Sequence, residues 1–347
     1  MTGTARKGPF RSALNTLAWG ILAATVVVRF AAASPYSTIY AFGDSLSDAG
    51  NVYVATSGAE PAPPYSDGRF SNGPVRVQDL SQALGLGPLT PSLLGGTDFA
   101  FGGAETGTTL VHTAAPIDLP SQLSAFEAAV PTPQPNALYT LWIGSLDLLD
   151  IFGSALNSAQ KLMAGQQAIG NIDTFVTDIA QHGAHNLLVL TVPDLGKTPL
   201  ITSMGPAASQ AASGFTLMWD QALLDSLAPI QQTFDLNLRT VDTFSLIDEA
   251  VDDPARFGFT NVTDPCWTGS YFGTDGTLCA SSMTAQDQYL FWDHLHPTAR
   301  GHALVADAAL NAIPEPPTWP MLVLGVWLIC MLKAGGVAPS RGAIRRR

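Results

Sequence analysis

The sequence predicts an α/β fold, a central parallel sheet with helices on both faces, in one domain over residues 34–313. Two observations predict it. Four short runs of apolar and β-branched residues alternate with longer stretches of helical periodicity. The runs are continuous rather than alternating in polarity, which is how strands buried on both faces read. Strands and helices in strict alternation pack as parallel strands joined by helical crossovers. A chain of 347 residues is ample for one large domain and barely enough for two, and no internal repeat or domain linker divides it.

The elements follow in order. Residues 38–42 (TIYAF) form the first expected strand, ending at Gly43. The Pro- and Gly-rich stretches 58–74 and 131–135 read as surface loops. Residues 137–143 (ALYTLWI) are the second strand, 186–192 (NLLVLTV) the third and 239–244 (RTVDTF) the fourth. Helices are expected over about 155–182, about 208–235 and 298–311. In open sheets of this kind chemistry gathers at the carboxyl ends of strands. Ser45, Asp147 and Asp194 all fall just beyond such ends.

The two ends read as addresses. Arg6, Lys7 and Arg11 precede an apolar stretch, 13–28, and Ala31-Ala32-Ala33 supplies small residues for cleavage before Ser34. Residues 1–33 are therefore expected to be a signal peptide, with an uncleaved anchor as the other reading. At the far end, Pro314-Glu315-Pro316 precedes an apolar segment, 319–332, and then the bases Lys333, Arg341, Arg345, Arg346 and Arg347. An apolar span halted by positive charge is a stop-transfer signal. Either end places residues 34–313 outside the cytoplasm.

Of 16 Lys and Arg, four lie in the first 33 residues and five at or beyond Lys333, which leaves seven in the middle. All the acids but Glu315 are there, 27 of the 28, so the middle carries a net −20. Such a domain repels nucleic acid and anionic membrane surfaces, and no nucleic-acid partner is expected. Cys266 and Cys279 flank a Gly-, Ser- and Thr-rich stretch and are expected to form a disulfide in an exported protein, with two free thiols as the alternative. No metal site is expected there, because no second Cys/His pair lies close in sequence. His112, His182, His185 and His302 are scattered and read as surface or helix-end residues.

The chemistry is concentrated in two segments. Ala41-Phe42-Gly43-Asp44-Ser45-Leu46-Ser47-Asp48-Ala49-Gly50-Asn51 follows the first strand, and Gly43 permits a tight turn. Ser45 is expected to open a helix there, where free N–H groups favour a developing anion. A serine hydroxyl needs a base within hydrogen-bond reach, and the base needs an orienting group. Asp293-His294-Leu295-His296-Pro297, near the other end, supplies both. His294 is the nearest rival base and reads as a packing or surface residue.

The two segments resemble the first and last blocks of the GDSL/SGNH hydrolase family. That resemblance implies a flavodoxin-like SGNH fold and a catalytic set of Ser45 as nucleophile, His296 as base and Asp293 as its orienting carboxylate, with no cofactor. Asp98-Phe99-Ala100-Phe101-Gly102-Gly103-Ala104 resembles block two, which implies an oxyanion hole from the N–H groups of Ser45 and Gly103, with Gly102 as the close alternative. Block three departs from the family. Where the family reads Gly-x-Asn-Asp, this chain has Gly144-Ser145-Leu146-Asp147, and leucine donates no side-chain hydrogen bond. Losing one such donor typically costs ~10²–10³ in rate. Ser145 is a candidate replacement, and Asp147 reads as structural.

The expected activity is ester hydrolysis, of an acylated lipid or saccharide, with Phe291-Trp292-Asp293 most like bacterial lipase and phospholipase relatives. Leu146 favours the alternative, an impaired scaffold that binds acylated surface polysaccharide. The tail resembles the PEP-CTERM sorting signal. That resemblance implies an exosortase-type processing enzyme as partner, membrane contact through 319–332 before processing, and residence in the envelope, surface or matrix of a bacterium.

Overall fold

A computed structural model describes residues 34–313. The expected signal peptide (1–33) and sorting tail (314–347) lie outside the described residues. Within them no helix is long and apolar enough to cross a membrane.

Four strands, β1 (Ile39–Gly43), β2 (Leu138–Trp142), β3 (Asn186–Leu190) and β4 (Asn237–Val241), form a parallel sheet in that order. The outer edge of β1 carries a further short pairing. Ala41 N–H donates to the Thr97 carbonyl (3.0 Å) and Phe99 N–H to the Ala41 carbonyl (2.7 Å). The chain thus places its second extended segment outside the first and its third inside. That is the order of a doubly wound sheet whose switch point lies at the carboxyl end of β1. A separate ribbon, β5 (Asn261–Pro265) with β6 (Tyr289–Phe291), delivers the 293–296 segment.

The helices are α1 (Asn51–Ala55), α2 (Arg76–Ala83), α3 (Leu119–Ala129), α4 (Ser145–Gly153), α5 (Ser158–Gln181), α6 (Pro199–Thr202), α7 (Pro206–Phe234), α8 (Thr243–Asp252), α9 (Pro254–Phe257), α10 (Met283–Gln286) and α11 (Ala299–Ala312). Side chains on a strand alternate between faces, and two cores follow from that. Tyr40, Phe42, Tyr139, Leu141, Leu187 and Val189 face the core that includes residues of α3, α5 and α7. Ile39, Ala41, Leu138, Trp142, Leu188 and Leu190 face the one that includes residues of α2 and α11. Phe42 is fully buried against Phe99, Phe126 and Phe175. Truncating such a ring to alanine costs about 3–5 kcal/mol.

Where the elements depart from the sequence reading, local hydrogen bonds explain it. The fourth strand ends at Val241, not 244, because Asp242 caps α8: its Oδ1 accepts from Ser245 N–H at 2.9 Å. The helix expected from 155 starts at Ser158, where the Asn157 side chain accepts from Gln160 N–H. A separate helix, α4, precedes it, starting after Gly144.

Candidate active site

The site is assembled at the carboxyl edge of the sheet, and β1 supplies its first member. Gly43 has φ 143, and a Cβ there would strike the Trp142 carbonyl oxygen, so only glycine lets the chain leave the strand this close to β2. Gln122 of α3 clamps Gly43 from the side, accepting from its N–H (2.9 Å) and donating to its carbonyl (2.8 Å). Ser45 follows in a single hydrogen-bonded turn, with Ser47 N–H and Asp48 N–H both donating to the Asp44 carbonyl. This corrects the expectation that Ser45 opens a helix. The Asp48 side chain accepts from the N–H groups of Gly50 and Asn51, which ends the turn and starts α1 only at Asn51.

Three side chains stand in series. His296 Nε2 is 2.7 Å from Ser45 Oγ, and His296 Nδ1 is 2.8 Å from Asp293 Oδ2. All three are buried, at 5% exposure or less. The Asp293 Oδ1 atom accepts from the backbone N–H groups of Leu295 (2.8 Å) and His296 (2.7 Å), which fixes the short loop between them. Burial pushes Asp293 up. The charge of His296 and the hydrogen bonds from His296 and Tyr65 outweigh it and hold the carboxyl below its ordinary value. His294 is exposed, and its carbonyl accepts from Leu200 N–H.

Gly103 and Gly102 are separated by their partners. Gly102 N–H donates to Asp48 Oδ2 at 2.8 Å and is occupied. Gly103 has φ 86, and among the described residues neither its N–H nor that of Ser45 has a hydrogen-bond acceptor. The Leu146 side chain lines the space around Ser45 and offers no donor. Ser145 Oγ is buried and has no partner among the described residues. Asp147 sits in the first turn of α4 and accepts from Thr106 Oγ1 (2.6 Å) and Thr106 N–H, so it ties the block-two loop to α4. Asp194 accepts from Gly196 N–H and Ser213 Oγ.

Several residues important to this geometry went unread in the sequence. Tyr65, from a stretch read only as loop, donates its hydroxyl to Asp293 Oδ2 at 2.7 Å. Asp48, Asn51 and Asp98 weave blocks one and two together: Asp98 accepts from Ala49 N–H, and the Asn51 amide donates to the carbonyls of Asp98 and Ala100. Burial raises Asp44 to about 7, Asp48 to about 6 and Asp98 well above the carboxylate range. Arg76 is buried beneath them, donating to Thr140 and Ser47. His302 corrects its own reading. It is fully buried rather than at the surface, and burial, then the nearby His296 and Arg76, drive it down to about 3, so it is neutral. The signal for Asp48 and Asn51 was present in the block-one segment itself; nothing in the sequence pointed to Tyr65.

Cys266 and Cys279 are joined in a disulfide. The loop it closes carries Tyr271, whose ring lies 5.5 Å from that of His296, with Phe70 5.3 Å away on another side.

The chain is thus an α/β protein whose doubly wound parallel sheet carries a buried Ser-His-Asp series and two unoccupied N–H donors at its switch point. Residues 39–309 match the family described as GDSL-like Lipase/Acylhydrolase, and the chain belongs to that family. It is similar to a phosphatidylcholine-sterol acyltransferase of Aeromonas hydrophila, 28% identical over 80% of this chain and 90% of that protein. It is also similar to a GDSL esterase/lipase of Arabidopsis thaliana, 24% identical over 80% of this chain and 90% of that one. A thermolabile hemolysin of Vibrio parahaemolyticus is 26% identical over 79% of this chain and 63% of that protein.

Proposed function

We propose that the protein is an exported serine esterase that hydrolyses carboxylic esters through an acyl-enzyme at Ser45. The observation that carries this reading is the continuous hydrogen-bond series from Ser45 Oγ through His296 to Asp293, with distances of 2.7 and 2.8 Å. Ser45 Oγ attacks the ester carbonyl while His296 Nε2 takes its proton. Asp293 holds the imidazole with Nδ1 protonated and stabilises the imidazolium that forms. The N–H groups of Ser45 and Gly103 receive the oxyanion. His296 then gives its proton to the departing alcohol. Water, activated by the same imidazole, releases the acid and restores Ser45.

Leu146 favours a second reading, a scaffold that binds acylated saccharide without turnover. The intact series and the two free donors favour the enzyme. Hydrolysis of p-nitrophenyl acetate by the wild-type chain and by Ser45→Ala tests it. Turnover lost in the variant supports the enzyme; equal rates in both, or none in either, favour the scaffold. Export, and release of a P-E-P tail by an exosortase, rest on the sequence of the two ends. Fusion of residues 1–33 to a periplasmic reporter tests the first.

A further inference from the structure

Glu105, His112 and Asp150 come from three separate parts of the chain, and one ligand atom of each lies within 4.8 Å of the other two. Glu105 stands in the loop just beyond Gly103, His112 in the stretch that leads to α3, and Asp150 on α4. Read from the sequence as a surface or helix-end residue, His112 instead has a side chain only 19% exposed, set between two carboxylates. Its Nε2 is 2.8 Å from Asp118 Oδ2, and its Nδ1 is 2.8 Å from Glu105 Oε1.

The two carboxylates differ. Asp118 is fully buried and already accepts a backbone N–H on each oxygen, from Glu105 at Oδ1 (2.9 Å) and from Ala115 at Oδ2 (2.6 Å). It is an acceptor held in place, and His112 Nε2 donates to it. Glu105 is 5% exposed, and its Oε2 is buried with no hydrogen-bond partner among the described residues. A carboxylate oxygen left so is costly to bury. Among the described residues no Lys or Arg forms an ion pair with Glu105, Asp118 or Asp150. Three carboxylates around one imidazole thus hold an excess of negative charge even when the ring is protonated.

We infer that Glu105, His112 and Asp150 form a binding site for a divalent cation of the zinc type. One imidazole nitrogen with two carboxylates suits zinc, whereas calcium asks for six or more oxygens. With Nε2 held by Asp118, Nδ1 offers its lone pair to the ion, and a carboxylate behind a histidine is how proteins fix the tautomer of a ligating ring. Zinc holds such ligands at about 2.0–2.2 Å, so donors on one tetrahedron stand ~3.4 Å apart, and side-chain shifts of about 1 Å bring the three together. Asp150 is exposed, which leaves the fourth position open to water. Asp147, one turn earlier on α4, already ties Thr106 to that helix. The ion adds a second tie between α4 and the loop that carries Gly103.

The full chain is stripped with EDTA and titrated with zinc chloride, and separately with calcium chloride, by calorimetry and by thermal melting. The expected result is one zinc per chain with Kd below about 10 µM, and a Tm about 5 °C higher at a 100-fold excess over Kd. Calcium at the same concentration does neither. Asp150→Ala alters an exposed helix residue whose side chain makes no hydrogen bond among the described residues, so the fold is kept, and zinc binding weakens at least about tenfold. His112→Gln weakens it as much, while Asp252→Ala, which removes an exposed acid elsewhere, leaves it unchanged. No zinc bound, zinc bound equally well by Asp150→Ala, or calcium bound as tightly as zinc overturns the inference and leaves His112 as an ion-pair partner only. Neither readout depends on turnover, so the outcome is independent of the role of Ser45.

Discussion

The Tyr65 hydroxyl donates to the same Asp293 oxygen, Oδ2, that faces His296 Nδ1, at 2.7 and 2.8 Å. Burial, followed by the Asp293 charge, raises the Tyr65 phenol far above its ordinary range, so it stays protonated and always donates. The two bonds together hold the carboxylate in the orientation that steers the His296 ring. Tyr65→Phe removes one of them, and kcat is expected to fall about two- to tenfold while the fold is kept. Steady-state kinetics and a melting curve of Tyr65→Phe check it. An unchanged kcat contradicts the assignment.

Leu146 stands where the family supplies a side-chain donor, beside two free N–H groups. Leu146→Asn is expected to raise kcat by about 10-fold or more, since one oxyanion donor is worth ~10²–10³ in well-aligned sites. Steady-state kinetics on p-nitrophenyl acetate decide it. An unchanged or lower kcat would show that the two backbone donors suffice.

Stability should fall as pH rises. Burial raises Asp48 to about 6, Asp44 to about 7 and Asp220 to about 8, against roughly 4 in an unfolded chain. A carboxyl that holds its proton more tightly when folded contributes stability present in full below pH ~4 and lost as pH climbs through the folded value. Asp293, held low, acts in the opposite direction and weakens the fold only in strong acid. Melting at pH 5 is expected about 5 °C or more above melting at pH 8.5. Asp220→Asn keeps the acceptor for Val192 N–H and narrows the gap. Equal melting temperatures at the two pH values would contradict the burial argument.

The disulfide of Cys266 and Cys279 joins residues 13 apart and carries the Tyr271 loop over His296. A loop of that length is worth about 3 kcal/mol in the chain-entropy account. Replacing both cysteines by serine is expected to lower Tm and to raise KM more than it lowers kcat, because the loop sets Tyr271 beside His296. Calorimetry and Michaelis kinetics on the double variant check it; an unchanged KM would remove the loop from substrate binding.

The parts of this fold that were legible in the sequence are those set by local pattern. The apolar runs around Tyr40, Tyr139 and Leu188 gave the strands because buried parallel strands need no polar face. Ser45, Asp293 and His296 were singled out because the two segments that carry them resemble two blocks of one hydrolase family, and the fold brings the three side chains into one hydrogen-bonded series. The illegible parts depend on contacts between distant segments. Tyr65 meets Asp293 across 228 positions. Arg76 reaches Thr140 and Ser47 inside the core, where a lone arginine in a helix reads as solvent-facing. The pairing of 97–99 with β1 is too short to show periodicity, yet it creates the switch point at which Ser45 sits.

The central claim is that Ser45 is a nucleophile activated by His296, and intact-mass measurement after exposure to a fluorophosphonate tests it most directly. The account predicts one adduct per chain, mapped to Ser45, absent in Ser45→Ala and formed at least about 100-fold more slowly in His296→Ala, the scale of a lost general base. No adduct on the folded wild-type chain, or an adduct that persists in Ser45→Ala, would contradict it.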